Sequence, residues 1–294
     1  MAGVRTPAGD QPEEKARSQW SYAWSRFRRH RLASIGLGVV VVLVLVAITA
    51  PLVAPFDPSA PDFGMTFAGT GQHAHLMGTD ELGRDTLSRL IFSLRTALLV
   101  ALASQAFAVV FAVGIGITAG YFGGRADQAL MAVTDVMFAF PAYLFTILLV
   151  SVFGRGLLPI SFAIGISSWV TVARLMRAQS LALKVRDYVE AGRSMGAGAF
   201  TIMARYILPN ALGPLLIAIS FGIPAAITAE AGLSLLGLGV QPPTPDLGSM
   251  ISDGMQYVLS APTLLIWSTV VFAVIVLAFT WVGDGMRDAF DVGE

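Results

Sequence analysis

Six long stretches of this chain carry no Asp, Glu, Lys or Arg: Leu32–Phe56, Thr96–Gly124, Val136–Gly154, Gly156–Ala173, Tyr206–Ala229 and Gly254–Gly283. An ionised side chain at the bilayer centre costs about 2.5–3.5 kcal/mol on insertion scales, so uncharged runs of this length mark passage through hydrocarbon. The shortest run has 18 residues, and a helix needs about 20 to cross about 30 Å at 1.5 Å per residue. The expectation is an all-α polytopic membrane protein with six transmembrane helices. With 55% apolar and 13% charged residues and a mean hydropathy of +0.71, a soluble globule is excluded. A seventh apolar run, Ala231–Pro245, has only 15 residues and ends in Pro242, Pro243 and Pro245; it reads as the end of span five plus a loop. The first span follows 31 mostly polar residues and is too long for a signal-peptide core, so it is expected to stay in the mature protein.

Six spans place both termini on one side, and basic residues say which. Residues 1–31 hold seven Lys/Arg, the fourth inter-span loop six, and Arg125 and Arg287 bring that face to 15, against Arg84, Arg89, Arg95 and Arg155 on the other. Both termini are therefore expected to be cytoplasmic. The chain divides into a cytoplasmic segment 1–31, span one at 32–56, an external loop 57–93, and a core 94–290 with five spans and a cytoplasmic loop at 174–206.

Several chemistries are absent. Nineteen Lys+Arg balance nineteen Asp+Glu, so the basic excess of a nucleic-acid binder is missing. There is no cysteine, which removes disulfides, thiolate nucleophiles and zinc–thiolate sites. Lys15 and Lys184 are the only lysines and neither follows a G-x-x-x-x-G pattern, so a phosphate-binding loop of that kind is ruled out. ATP, if used, is bound elsewhere. No His-Glu-x-x-His occurs, and no catalytic residue, cofactor or metal is expected in this chain. His73 and His75 near Asp80 and Glu81 can be drawn as a metal site, but an i,i+2 pair in a loop is a weak signal.

The segments between spans differ in character. Up to Gln19 the amino-terminal segment is rich in Pro, Gln and Glu and reads as disordered; Trp20, Tyr22, Trp24, Phe27, Arg28, Arg29 and Arg31 then suit the headgroup layer of an anionic leaflet. Late in the external loop, Leu87, Leu90, Ile91 and Leu94 recur at helical spacing, with Asp85 and Arg89 at i,i+4, which predicts a short interfacial helix leading into span two. Gly116 and Gly120 make a G-x-x-x-G in span two and predict close helix packing. Pro214, Gly222 and Pro224 predict a kinked span five. Asp135 and Glu230 lie at or near membrane depth. Each is read either as a proton or substrate site or as a bundle or interface residue, the latter preferred.

The fourth loop is the most informative part. Asp187 can cap a short helix bearing Tyr188, Val189, Ala191 and Met195, and Gly196 and Gly198 permit the turn where it stops. A second helix is expected from Ala199 through Tyr206 to Asn210. Such a unit can seat in a groove of a soluble partner, or be an ordinary amphipathic surface helix. Here the residues resemble a known family. Glu190-Ala191, Gly196 and Ile207-Leu208-Pro209-Asn210 resemble the EAA loop of ATP-binding-cassette importer permeases. The stretches Gly78-Thr79-Asp80-Glu81-Leu82-Gly83-Arg84-Asp85, Ala119-Gly120-Tyr121-Phe122-Gly123-Gly124, Ala139-Phe140-Pro141 and Glu230-Ala231-Gly232-Leu233-Ser234-Leu235-Leu236-Gly237-Leu238-Gly239 look like its dipeptide/oligopeptide/nickel subfamily, C-type subunit.

The resemblance implies a type I importer permease fold in a bacterial or archaeal inner membrane. It further implies a second homologous permease subunit, two cytoplasmic ATPases that bind ATP and Mg, an external substrate-binding protein, and peptides, nickel chelates or opines as cargo. Asp187, Tyr188, Glu190, Ala191, Gly192, Arg193 and Gly196 then form the ATPase-coupling helix and turn, Glu190 orienting the helix and Ala191 and Gly192 allowing close approach of the partner. Two residues depart from the pattern: Gly192 stands where alanine is usual, and Tyr206 where histidine is common. Gly192 lowers helix propensity by about 1 kcal/mol relative to Ala, so a looser coupling unit is expected. The rival reading is a stand-alone proton-driven transporter using Asp135 and Glu230.

Overall fold

The computed structural model describes residues 19–290, so the expected disorder of the first 18 residues lies outside the described residues. Twelve helices follow one another: α1 (Gln19–Arg29), α2 (Arg31–Ile48), α3 (Ala50–Val53), α4 (Thr86–Phe122), α5 (Gly124–Ala139), α6 (Ala142–Phe153), α7 (Leu157–Leu183), α8 (Asp187–Ser194), α9 (Ala199–Ile202), α10 (Leu208–Leu235), α11 (Leu247–Gln256) and α12 (Pro262–Phe290). No strand occurs among the described residues. The α2, α4, α7 and α12 helices and the unit Ala199–Leu235 are each long and apolar enough to cross a membrane, and the bent pair α5–α6 makes a sixth crossing when counted as one.

That bent pair departs from the single helix expected at Val136–Gly154. The chain turns by 89° between α5 and α6, at Phe140, whose ψ of 134° is the extended value that a following proline enforces. Hydropathy finds such a run but is blind to its direction. The sixth span also shifts along the chain. Helix α12 starts at Pro262, a residue suited to a first helical turn, while Gly254 closes against Leu265 with no room for a Cβ and belongs to the short helix α11.

A third difference lies before span two. The predicted interfacial helix does not exist as a separate element; α4 runs unbroken for 37 residues, about 55 Å at 1.5 Å per residue. Asp85 caps its start, accepting from the Ser88 N–H at 2.7 Å. The predicted Asp85–Arg89 pair is not formed either, because Asp85 is committed to that cap and to His75 at 2.9 Å, and Arg89 turns to Asp80 at 2.8 Å.

Helix α4 lies along α7, and small residues let the two backbones meet. A Cβ on Gly116 would stand 2.4 Å from the Ala173 carbonyl, one on Gly120 2.6 Å from that of Arg177, and one on Gly165 2.6 Å from that of Ser104. The G-x-x-x-G is thus used within the chain. The main core joins Leu94, Ala97 and Val100 of α4 to Ile160 and Ile164 of α7, Ile227 of α10 and Ile275 of α12. Span five carries Pro214 and Pro224 inside α10, and it begins with a π turn at Met203–Ile207.

Candidate functional site: a small helix at one end and a clamped loop at the other

At one end of the bundle α8 folds back against α9 and the π turn. Arg186 occupies the N-cap with extended dihedrals and no side-chain cap bond, so Asp187 sits in the first turn and is not the cap. Asp187 and Glu190 near the N-terminus and Arg193 in the last turn still complement the helix dipole. Val189 is fully buried beside Ile202 and Ile207, whereas Tyr188, Glu190, Ala191 and Arg193 are exposed. After α8 the chain reverses at Gly196, whose φ is +86°, with its N–H donated to the Arg193 carbonyl and that of Ala197 to Gly192. Met195 and Phe200 flank the turn with 77% and 79% of their surfaces exposed. Large apolar side chains so placed are unfavourable in water and suit a docked partner.

The unit is fastened to the ends of the long helices. The guanidinium of Arg193 lies 5.1 Å from the Tyr121 ring centroid, Lys184 Nζ donates to the Gly120 carbonyl at 2.7 Å, and Arg177 makes a two-pronged pair with Asp127 at 2.5 and 2.6 Å.

Gly192 is not on the outer surface. It is buried, and a Cβ there would meet the Tyr206 ring at 3.1 Å and Ile202 Cδ1 at 3.2 Å. Its expected role in approach of a partner is therefore corrected: Gly192 makes room for Tyr206. The two departures from the family pattern touch each other, the larger ring at 206 occupying the space given up at 192. Gly192→Ala alone is expected to lower thermal stability by about 1 kcal/mol or less, the overpacking outweighing the propensity gain. Adding Tyr206→His should recover the loss, measured as thermal unfolding of the purified chain.

Of the two carboxylates at membrane depth, Asp135 is 65% exposed along its side chain and pairs with Arg174 at 2.7 Å, while Arg174 stacks on Phe138 at 4.1 Å. Glu230 is completely buried, accepts from Ser234 Oγ at 3.1 Å, and lies against the carboxyl of Asp246, which caps α11. The structure does not bring Asp135 and Glu230 together. In the sequence Asp246 reads only as part of an acidic outer surface with Glu230 and Asp253, and Arg174 only as one of six basic residues of the fourth loop; their pairings with the two carboxylates are not visible there.

At the opposite end, Gly78–Asp85 forms a tight knot. The Asp80 carboxylate accepts from the Leu82 and Arg84 N–H groups at 2.9 Å each and from Arg84 Nε at 2.7 Å, and it pairs with Arg89. Gly83 has φ +75°, and a Cβ there would lie 1.7 Å from the Asp62 carbonyl, so no other residue fits. Asp253 of α11 closes over this cluster. Burial, followed by the nearby Glu81 charge, pushes its carboxyl above the ordinary range. A raised folded value means that this contact contributes fully below the unfolded value of about 4 and weakens as pH rises through the folded one. Asp253→Asn is accordingly expected to raise thermal stability at neutral pH, with the gain disappearing on acidification below about pH 4.

Comparisons with known proteins fall on this framework. Residues 112–293 match the family described as binding-protein-dependent transport system inner membrane component. This chain belongs to that permease family. Residues 18–69 of the permease also match the N-terminal transmembrane domain of oligopeptide transport permease C. The permease is 36% identical to the dipeptide transport system permease protein DppC of Haemophilus influenzae, covering 97% of each chain. It is 36% identical to the oligopeptide transport system permease protein OppC of Bacillus subtilis, over 97% of this chain and 93% of that one. With a di/tripeptide transport system permease protein DppC of Pseudomonas aeruginosa the identity is 38%, over 91% and 90%. Among solved structures, an inward-facing MetNI methionine ABC transporter shares the fold, with a TM-score of 0.55, 19% identity, and coverage of 69% of this permease and 97% of that chain. The permease is thus a multi-pass, non-catalytic membrane subunit of an ABC importer.

Proposed function

We propose that this permease forms half of the membrane path of an ATP-driven importer of short peptides. The reading is carried by one observation: a small helix, α8, followed by a glycine turn, presents Tyr188, Glu190, Met195 and Phe200 outward where nothing among the described residues covers them. Relatives named as dipeptide, oligopeptide and di/tripeptide permeases support peptides over nickel chelates or opines as the cargo. A second, homologous permease completes the path. Two cytoplasmic ATPases bind ATP and Mg and seat on α8, and an external binding protein delivers the peptide.

The excess of basic residues around α8 and the amino-terminal segment supports a cytoplasmic position for that end and both termini, with the knot at 78–85 facing outward. ATPase closure biases an inward-open to outward-open equilibrium, and that bias enters through the Asp187–Gly196 unit. Asp135, already paired with Arg174, and Glu230, sealed inside the bundle, give little support to a proton-driven transporter.

Affinity purification of the tagged permease from its native membrane in mild detergent tests the proposal. Recovery of a second permease and one or two ATPases, with dipeptide uptake by the reconstituted assembly on ATP, is the expected result. Purification of the chain alone, transporting under a proton gradient, would overturn it.

A further inference from the structure

Between α4, α6, α7 and α10 lies a cavity of about 290 Å3. It is at mid-depth: Gln105 stands 19 residues from the start of α4 (105 − 86) and 17 from its end (122 − 105). Gly222 is 14 residues from the start of α10 (222 − 208) and 13 from its end (235 − 222). Thr146, Ser167 and Ser168 line the wall, with alanines of α10, and no Asp, Glu, Lys or Arg takes part. All three hydroxyls donate along their own helices, Thr146 to the Ala142 carbonyl at 2.8 Å, Ser167 to that of Ala163 at 2.7 Å and Ser168 to that of Gly165 at 3.2 Å.

Gln105 is different. Its residue surface is 6% exposed, it lines the cavity, and its carboxamide has no hydrogen-bond partner among the described residues. Neither amide atom is among the sealed, unpartnered side-chain atoms of the described residues, so the group faces the cavity with its donor and acceptor open to whatever occupies it. The opposite helix is shaped around it: a Cβ on Gly222 would fall 2.2 Å from Gln105 Oε1 and 2.9 Å from Nε2. The amide therefore rests on bare α10 backbone, in a notch that any other residue would fill.

We infer that this cavity is a waypoint for the cargo and that the Gln105 carboxamide pairs there with a peptide group. The inference rests on the peptide-import reading above. A carboxamide offers N–H and C=O, and a peptide group offers the same two in return, so one side chain matches the backbone whatever its side chains are. Uncharged walls hold no ion tightly, which lets peptides of either charge pass and leave. At about 290 Å3 the cavity is close to the lower end of small-ligand pockets, room for a short stretch of peptide.

The test uses the complete importer in proteoliposomes with its binding protein, ATP and radiolabelled dialanine. Gln105→Leu keeps the bulk and removes the amide. Dialanine uptake is expected to fall at least ten-fold while the ATPases remain bound and ATP hydrolysis stimulated by the loaded binding protein continues. Because the chain has no cysteine, Ala225→Cys in the cavity wall reports occupancy independently. Its labelling by a thiol reagent should slow several-fold when dialanine is present during turnover. Wild-type uptake by Gln105→Leu, or labelling of Ala225→Cys indifferent to dialanine, overturns the waypoint and leaves the importer reading standing. Failure of the unaltered assembly to take up dialanine on ATP overturns both.

Discussion

Gly196→Val should leave the permease inserted in the membrane but without its ATPases, and dipeptide uptake should be abolished. The reason is backbone geometry alone. At φ +86° an L-residue brings its Cβ toward the neighbouring carbonyl, at about 1–2 kcal/mol for an ordinary side chain, and β-branching makes this conformation a genuine outlier. Beyond its own chain neighbours, nothing among the described residues lies within 4 Å of the position a Cβ would take, so no clash in the core accompanies the change. The turn would relax by swinging α8 and Met195 away from their present placement relative to Phe200. Gly196→Asn, which tolerates a left-handed backbone, should restore most ATPase recovery and uptake. Co-purification and uptake measured side by side decide the matter, and normal uptake by the valine variant would remove the assigned role of the turn.

Asp80→Ala is expected to have the largest effect on stability. Its carboxylate receives two backbone N–H groups and pairs with both Arg84 and Arg89, whose side chains are nearly buried. Without it Arg84 keeps only Glu81, and Arg89 is left as a buried cation without its carboxylate. Breaking a buried pair from one side costs about 3–5 kcal/mol. Loop 57–85 should become sensitive to added protease and the unfolding temperature should drop, with Asp80→Asn intermediate. A loop as resistant as wild type would show that the cluster is not what holds it.

The spans were readable because the penalty for ions in hydrocarbon acts on composition, which survives in a linear string. Directions and partners were not. The 89° turn at Phe140–Pro141 leaves hydropathy untouched, and the continuity of α4 through residue 93 turns on Asp85 capping at Thr86, a choice between Ser88, His75 and Arg89 that spacing alone does not make. Gly192 and Tyr206 each stood out singly, yet their contact crosses the turn and exists only in three dimensions. Gln105 carries no charge, so the ionisable residues that mark the spans do not register it. It is the sole Asn or Gln in the run Thr96–Gly124, and counting neutral amides would have flagged it.

The length of α4 has a mechanical meaning. At one end Asp85 and Arg89 tie it to the knot at 78–85; at the other, Lys184 holds the Gly120 carbonyl and Arg193 rests on Tyr121. A rigid rod of about 55 Å swung by about 5° about one end carries the other through about 5 Å, close to the rise of one helical turn. On the coupling proposed above, a tilt of α4 set at the α8 end would reach the far side of the membrane through this single beam, without a relay of side chains between.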